Sequence, residues 1–350
     1  MLQHRHNKPQ LPPTLSSVYG MIDAEMKRVD DILRESLSDG VPFVNEVSQY
    51  AFQLGGKRLR PVITLVSYRA ARQPGDELNS PWKLLLVATA IEMIHTATLI
   101  HDDILDGALI RRHLPTMHTR WDAGVSVMAG DAIFTKALDL VTQLDEIEPY
   151  RILAGACHKT CYGELRQMGT RNRFDLSVDD YLEIVAAKTA SLIECSSQMG
   201  AWYAGAETEI IEQFRLFGRE IGIAFQIIDD VLDLVGDENT MGKTLGTDIL
   251  HKKQTLPVLM FFDTLQEDVR RETIQQCSQE DADEIFVQNL IAQIQASGAV
   301  EAAIVYADSL VSSAVERIQR FADTNPRSRE SQEAIDALGT IAAFIVKREK

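Results

Sequence analysis

Two long segments with helical apolar spacing, Trp82 to Leu105 and Ile210 to Leu234, each run into the same acidic signature. The first ends in His-Asp-Asp-Ile-Leu-Asp, the second in Phe-Gln-Ile-Ile-Asp-Asp-Val-Leu-Asp. The middle of the first segment carries few charges on any face, which predicts a helix buried all round in a large bundle. Buried carboxylates demand partners. The fold must therefore enclose apolar helices and still bring cations to their acidic ends.

The same three- and four-residue spacing recurs through Val18 to Leu37, Val127 to Val141, Tyr150 to Met168, Val178 to Ala204 and Ala299 to Phe321. Val, Ile and Thr fall inside these segments rather than in alternating runs, so no strand is predicted. Breaks are few, near 73–76, 169–177, 236–247 and 323–328, and none has the composition of a flexible linker. We expect a loose, proline-bearing arm over 1–15 and a single all-α domain over 16–350.

In each acidic cluster the first and third carboxylates are four residues apart, Asp102 with Asp106 and Asp229 with Asp233, so they share a helical face. Asp103 and Asp230 lie about 100° round. Like charges so placed repel, and cations relieve the strain. Oxygen donors with no set of Cys or His nearby point to Mg²⁺ or Mn²⁺ rather than zinc. Asp179-Asp180 looks superficially alike, but Ser177 precedes it with the spacing of a capping box, which predicts a helix start.

The chain of 350 residues carries a formal charge of −16, which excludes a general nucleic-acid binder. Four scattered cysteines exclude a disulfide scaffold. No secretory leader is visible, and Glu92 and His95 interrupt the most apolar stretch, so a cytoplasmic location is expected. Against that acidic background, basic residues gather in short motifs. Gly55-Gly56-Lys57-Arg58-Leu59-Arg60 joins two glycines to three cations, so that backbone and side chains can close on an anion. Arg111-Arg112 follows the first cluster, and Lys243 and Lys252-Lys253 follow the second. Together they predict a site for diphosphate groups, some held through metal ions and some directly.

The ordered set Gly-Gly-Lys-Arg-Leu-Arg-Pro at 55, His-Thr-Ala-Thr-Leu-Ile-His-Asp-Asp-Ile-Leu-Asp at 95, Arg-Arg-x-x-Pro-Thr at 111, Gly130-Asp131, Lys188-Thr189-Ala190, Phe-Gln-Ile-Ile-Asp-Asp-Val-Leu-Asp at 225 and Gly-Lys-Thr-Leu-Gly-Thr-Asp at 242 resembles the all-trans polyprenyl diphosphate synthases. The likeness runs from about 45 to 260. One departure is His113, where that family usually has Gly.

The resemblance implies an isoprenoid synthase-type helical bundle around a deep central cavity, normally a homodimer. It also implies three Mg²⁺ ions, two on Asp102 and Asp106 with Asp103 in support, and one on Asp229 with Asp230 and Asp233 behind it. It implies an allylic diphosphate held further by Arg111, Lys188, Thr189, Gln226, Lys243 and Lys253. Isopentenyl diphosphate would be held by Gly56, Lys57, Arg60, His95 and Arg112. The growing tail would pass Thr98, Ala97, Ile94, Met93 and Ala90. With small residues at 97 and 98, a product of C30 to C45 is expected, unless a facing residue such as Phe134 or Phe52 floors the cavity. Such a product would pass to membrane enzymes, with a quinone side chain as one destination.

Other readings are a farnesyl or geranylgeranyl diphosphate synthase, a terpene cyclase, a non-catalytic subunit of a heteromeric synthase, and a purely structural helical protein. From a different class, His95 and His101-Asp102 suggest an HD-type metal phosphohydrolase. That last reading leaves the second acidic cluster and the Gly-Gly-Lys-Arg motif unexplained. The cyclase has no use for a second diphosphate site.

Overall fold

A computed structural model describes residues 13–38, 40–54, 56–73, 81–171, 176–236, 245–278, 284–324 and 328–347. They form helices α1 (Pro13–Met21), α2 (Asp23–Ser36), α3 (Pro42–Gln53), α4 (Leu59–Ala71), α5 (Pro81–Leu105), α6 (Met117–Arg120), α7 (Ala123–Thr142) and α8 (Ile147–Thr170). After these come α9 (Val178–Val185), a π-helical turn over Ala186–Ala190, α10 (Ser191–Tyr203), α11 (Thr208–Val235), α12 (Thr247–Leu250), α13 (Leu256–Thr264) and α14 (Glu267–Cys277). The chain closes with α15 (Glu284–Ala296), α16 (Ala299–Thr324) and α17 (Arg329–Val346).

The fold is all-α, as the spacing predicts, with local departures. A two-stranded antiparallel hairpin, β1 (Ile110–Arg111) with β2 (Leu114–Pro115), corrects the expectation of no strands. Strands of two residues are too short to show alternation. The segment expected as one helix over Val18 to Leu37 breaks at Ile22, and Val178 to Ala204 is interrupted by the π turn.

Capping residues fix several helix starts. Asp122 accepts from the Val125 amide at 2.7 Å to open α7. Ser177 accepts from the Asp180 amide at 3.1 Å and donates to the Asp180 carboxylate at 2.7 Å, so the capping box closes through the hydroxyl. α5 packs on α7, α4, α2 and α10, while α11 packs on α16, α10 and the π turn. Both acid-tipped helices thus stand at the centre. α5 is the one described helix long and apolar enough to cross a membrane, but 72% of its most apolar window is buried in the protein. Its apolar surface goes into the core.

Candidate active site

α5 ends where Gly107 takes a left-handed φ of +62° and the Ala108 amide bonds back to the Asp103 carbonyl at 3.0 Å. The last helical bond runs from the Asp106 amide to the Asp102 carbonyl at 2.8 Å, which stacks those two carboxylates one turn apart. Burial raises the Asp102 carboxyl to about 6, against the pull of Lys188. Burial also pushes Asp106 up, but the charge and hydrogen bond of Lys253 hold it below its ordinary value. Lys253 lies 3.0 Å and Arg171 3.4 Å from Asp106. Asp103 turns aside and takes the Arg111 guanidinium fork at 2.7 to 2.9 Å.

The second cluster divides its work. Asp230 accepts from the Tyr181 hydroxyl at 2.6 Å and from the Gln226 amide at 2.8 Å, and burial raises its carboxyl well above the usual range. Gln226 in turn accepts from Thr189 at 2.8 Å. Asp233, almost fully buried, caps α12: it accepts from Thr247 Oγ1 at 2.6 Å and from the Asp248 amide at 3.0 Å. α12 closes with Lys252 in the left-handed region (φ +56°) and the Lys253 amide bonded to the Asp248 carbonyl at 2.8 Å. That turn delivers Lys253 to the first cluster. Asp229 and Arg60 are near enough for the aspartate charge to offset part of the arginine's desolvation.

Lys188 sits in the π turn, a device frequent at functional sites. A Cβ on Gly163 would lie 2.4 Å from the Lys188 amide nitrogen, and one on Gly222 would lie 2.7 Å from the Ala190 Cα, so both neighbouring helices must approach bare. Lys188 pairs with Glu164 and donates to Gln167 at 2.8 Å.

A second basic group surrounds residues 56–60. Arg112 donates to the Leu54 carbonyl at 2.9 Å, and a Cβ on Gly56 would lie 2.3 Å from its guanidinium, which explains glycine there. Arg58 pairs with the buried Glu92 at 3.0 Å. Burial lowers Arg60 to about 10, and its Nε has no hydrogen-bond partner among the described residues. Desolvation, then the charges of Arg60, Arg112, Arg111 and Arg58, hold the His95 imidazole well below 6.5. An arginine nitrogen buried without a partner, amid further cations, suits an arriving anion.

Lys243 falls outside the described residues. Met93, Ile94 and Ala97 are buried on α5 with Ala90, and Thr98 is bonded to the His95 carbonyl at 2.8 Å. Phe52 carries the Arg58 guanidinium 5.2 Å from its ring centroid. His101 lies 3.3 Å from the Val127 carbonyl and 3.5 Å from Asp131, both on α7. Arg171, Tyr181, Glu164 and Gln167 were not foreseen, and no motif marks them. Glu92 did leave a signal, as a lone acid inside an apolar run.

A polyprenyl synthetase family profile matches residues 41–294, more than half of the chain. A short chain isoprenyl diphosphate synthase of Methanothermobacter thermautotrophicus is 36% identical over 91% of this chain and 95% of its own length. Heptaprenyl diphosphate synthase component 2 of Bacillus subtilis is 31% identical over 95% of this chain and 90% of its own. Among solved structures, a polyprenyl synthase from Caulobacter crescentus complexed with calcium and isoprenyl diphosphate superposes with a TM-score of 0.86 at 30% identity, covering 98% of this chain and all of that one.

Proposed function

The chain belongs to the polyprenyl synthetase family and is a prenyltransferase, and from that premise we propose that it adds isopentenyl diphosphate units to an allylic diphosphate, giving an all-trans product of C30 to C45. The carrying observation is the pairing of two different anion-binding arrangements. One is built of carboxylates with Lys188 and Lys253. The other, around residues 56–60, is built of cations with Glu92 between them.

The oxygen donors of Asp102, Asp106 and Asp229 fit a hard divalent cation such as Mg²⁺. No three of the described His, Cys, Asp or Glu side chains close into a metal cage. That suits an ion bound by one or two carboxylates, with substrate phosphates and water completing its coordination. Such ions would supply charge neutralisation to the leaving diphosphate.

The chain's own residues then account for the rest. Lys188, Thr189, Gln226, Arg111 and Lys253 line up the allylic diphosphate, and the cationic surroundings favour heterolysis of its C–O bond, the electron pair leaving with the diphosphate. Gly56, Lys57, Arg60, His95 and Arg112 hold isopentenyl diphosphate so that its double bond attacks the allyl cation and forms the new C–C bond. The departed diphosphate takes the proton lost in restoring the double bond. The apolar surface of α5 excludes water from the cation.

The length range rests on small residues at 97 and 98. A shorter product is the second reading, favoured by the short-chain name of the Methanothermobacter relative. The single-domain organisation, a cytoplasmic location and a homodimer belong to the proposal, as does delivery of the product to membrane enzymes. Association with a second, different chain is the alternative, since the Bacillus relative is named as a component.

The test is incubation of the protein with Mg²⁺, labelled isopentenyl diphosphate and farnesyl diphosphate, followed by sizing of the dephosphorylated products. A C30 to C45 ladder supports the proposal. Arrest at C20 overturns the length, and no incorporation by the chain alone overturns the self-sufficient homodimer in favour of a partner-dependent subunit or a cyclase.

A further inference from the structure

Three consecutive residues of the second basic group are each gripped from elsewhere in the fold. Gly56 lies against the Arg112 guanidinium. Arg58, in the left-handed region at φ +51°, is held by Glu92 and by the Phe52 ring. Lys57 is held at both ends: the Tyr19 hydroxyl of α1 donates to its carbonyl, and its ammonium lies 4.6 Å from the centroid of the Phe344 ring of α17. The first and the last described helices thus meet on one lysine.

The loop needs such grips. The guanidiniums of Arg58, Arg60 and Arg112 all act on the His95 imidazole, so they lie close enough for their like charges to repel one another. Arg58 adds backbone strain, since a side chain in the left-handed region costs about 1–2 kcal/mol. A hydrogen bond to the Lys57 carbonyl fixes the peptide between the cations without consuming a charge that the ligand needs. Burial and the neighbouring Glu92 raise the Tyr19 phenol, so the hydroxyl remains a donor throughout the neutral range.

We infer that Tyr19 is a positioning residue for isopentenyl diphosphate, acting through the Lys57 carbonyl, with Phe344 steering the ammonium of the same lysine. This rests on the assignment of residues 56–60 to that substrate. The Tyr19 hydroxyl is committed to the Lys57 carbonyl. It narrows the loop's conformations to the one that receives a diphosphate, so its removal weakens binding of one substrate and not of the other.

The test is Tyr19→Phe, which removes only the hydroxyl. Loss of one hydrogen bond is expected to raise KM for isopentenyl diphosphate about fivefold, while KM for the allylic diphosphate and kcat move less than twofold. Phe344→Leu, which keeps bulk and removes the π face, is expected to shift the same KM in the same direction. Equal changes in both KM values, or none, overturn the inference, because a general structural role would not separate the substrates. If the wild-type chain proves inactive alone, that failure belongs to the reaction or to the self-sufficient assembly, and calorimetric titration of isopentenyl diphosphate into wild-type and Tyr19→Phe protein decides the point about Tyr19. Weaker binding by the variant supports the positioning role; equal affinity overturns it.

Discussion

Lys253 Nζ lies 3.0 Å from the Asp106 carboxylate, across 147 residues of sequence. The same ammonium is 3.7 Å from Asp248, whose amide is capped by Asp233. A single lysine therefore ties the end of α5 to the segment that follows α11. Burial works against its charge, but Asp248 and Asp106 outweigh burial and raise its pKa. It stays protonated beside the first acidic cluster.

Lys253→Met keeps the stem and removes the charge. A charge-assisted hydrogen bond is worth about 1.5–3 kcal/mol, so kcat/KM for the allylic diphosphate should fall by about 10- to 100-fold. KM for isopentenyl diphosphate should move less than twofold. Steady-state kinetics with each substrate varied in turn makes the comparison, and parallel losses for both substrates would reject a role confined to one diphosphate.

The hairpin turn between β1 and β2 places Arg112 at φ +52° and His113 at φ +63°. A two-residue turn with both central residues at positive φ favours Asn-Gly sequences, which explains why a glycine at 113 would be at ease. His113→Gly should stabilise the protein by about 1 kcal/mol, the relief of left-handed strain less the flexibility glycine adds to the unfolded chain. Urea titration measures it. A loss of stability would mean that the imidazole makes contacts worth more than the strain.

These cases separate what the sequence could reveal from what it could not. The acidic clusters were legible because a spacing of four on a helix is itself a geometric statement. The meeting of Lys253 with Asp106 was not, since it depends on a left-handed turn at Lys252 that no glycine announces. The π turn at Lys188 was hidden for a related reason: Ala186–Ala190 has helical composition, and only packing against Gly163 and Gly222 exposes the extra residue. Tyr19, Arg171 and Tyr181 act by distant contact, which one-dimensional spacing does not record.

His95 carries a pH dependence of definite sign. Its folded-state pKa lies well below 6.5, through desolvation and four arginines, while the unfolded chain protonates near 6.5. Protons therefore favour the unfolded state: the contribution of the neutral imidazole is complete above about 6.5 and is lost as the pH falls below it. Unfolding titrations at pH 7.5 and 5.5 should show a smaller acid loss for His95→Gln than for wild type. Equal slopes would show that the imidazole takes up its proton in the folded state.

Ala97 decides how the product length should be tested. It is 1% exposed and lies one turn before His101 on α5. A Cβ on Gly130 would come 2.2 Å from the His101 ring, so that ring fixes the register of α7 on α5. Lys83 at the start of α5 pairs with Glu146 beyond the end of α7, so the two helices run antiparallel, and Phe134, one turn past Gly130, falls at the level of Ala97 along the pair. Ala97 is about 7.5 Å along the helix from Asp102, the depth of a short prenyl tail. If the growing tail passes there, Ala97→Phe should shorten the product to C20 or less with little loss of stability, because the ring fills space that the tail occupies. If the position is ordinary packed core, the ring has no room, and the variant should lose about 1–3 kcal/mol from overpacking while product length is unchanged. Product sizing and a thermal melt on the same preparation distinguish the two, and the second outcome would remove Ala97 from the cavity wall.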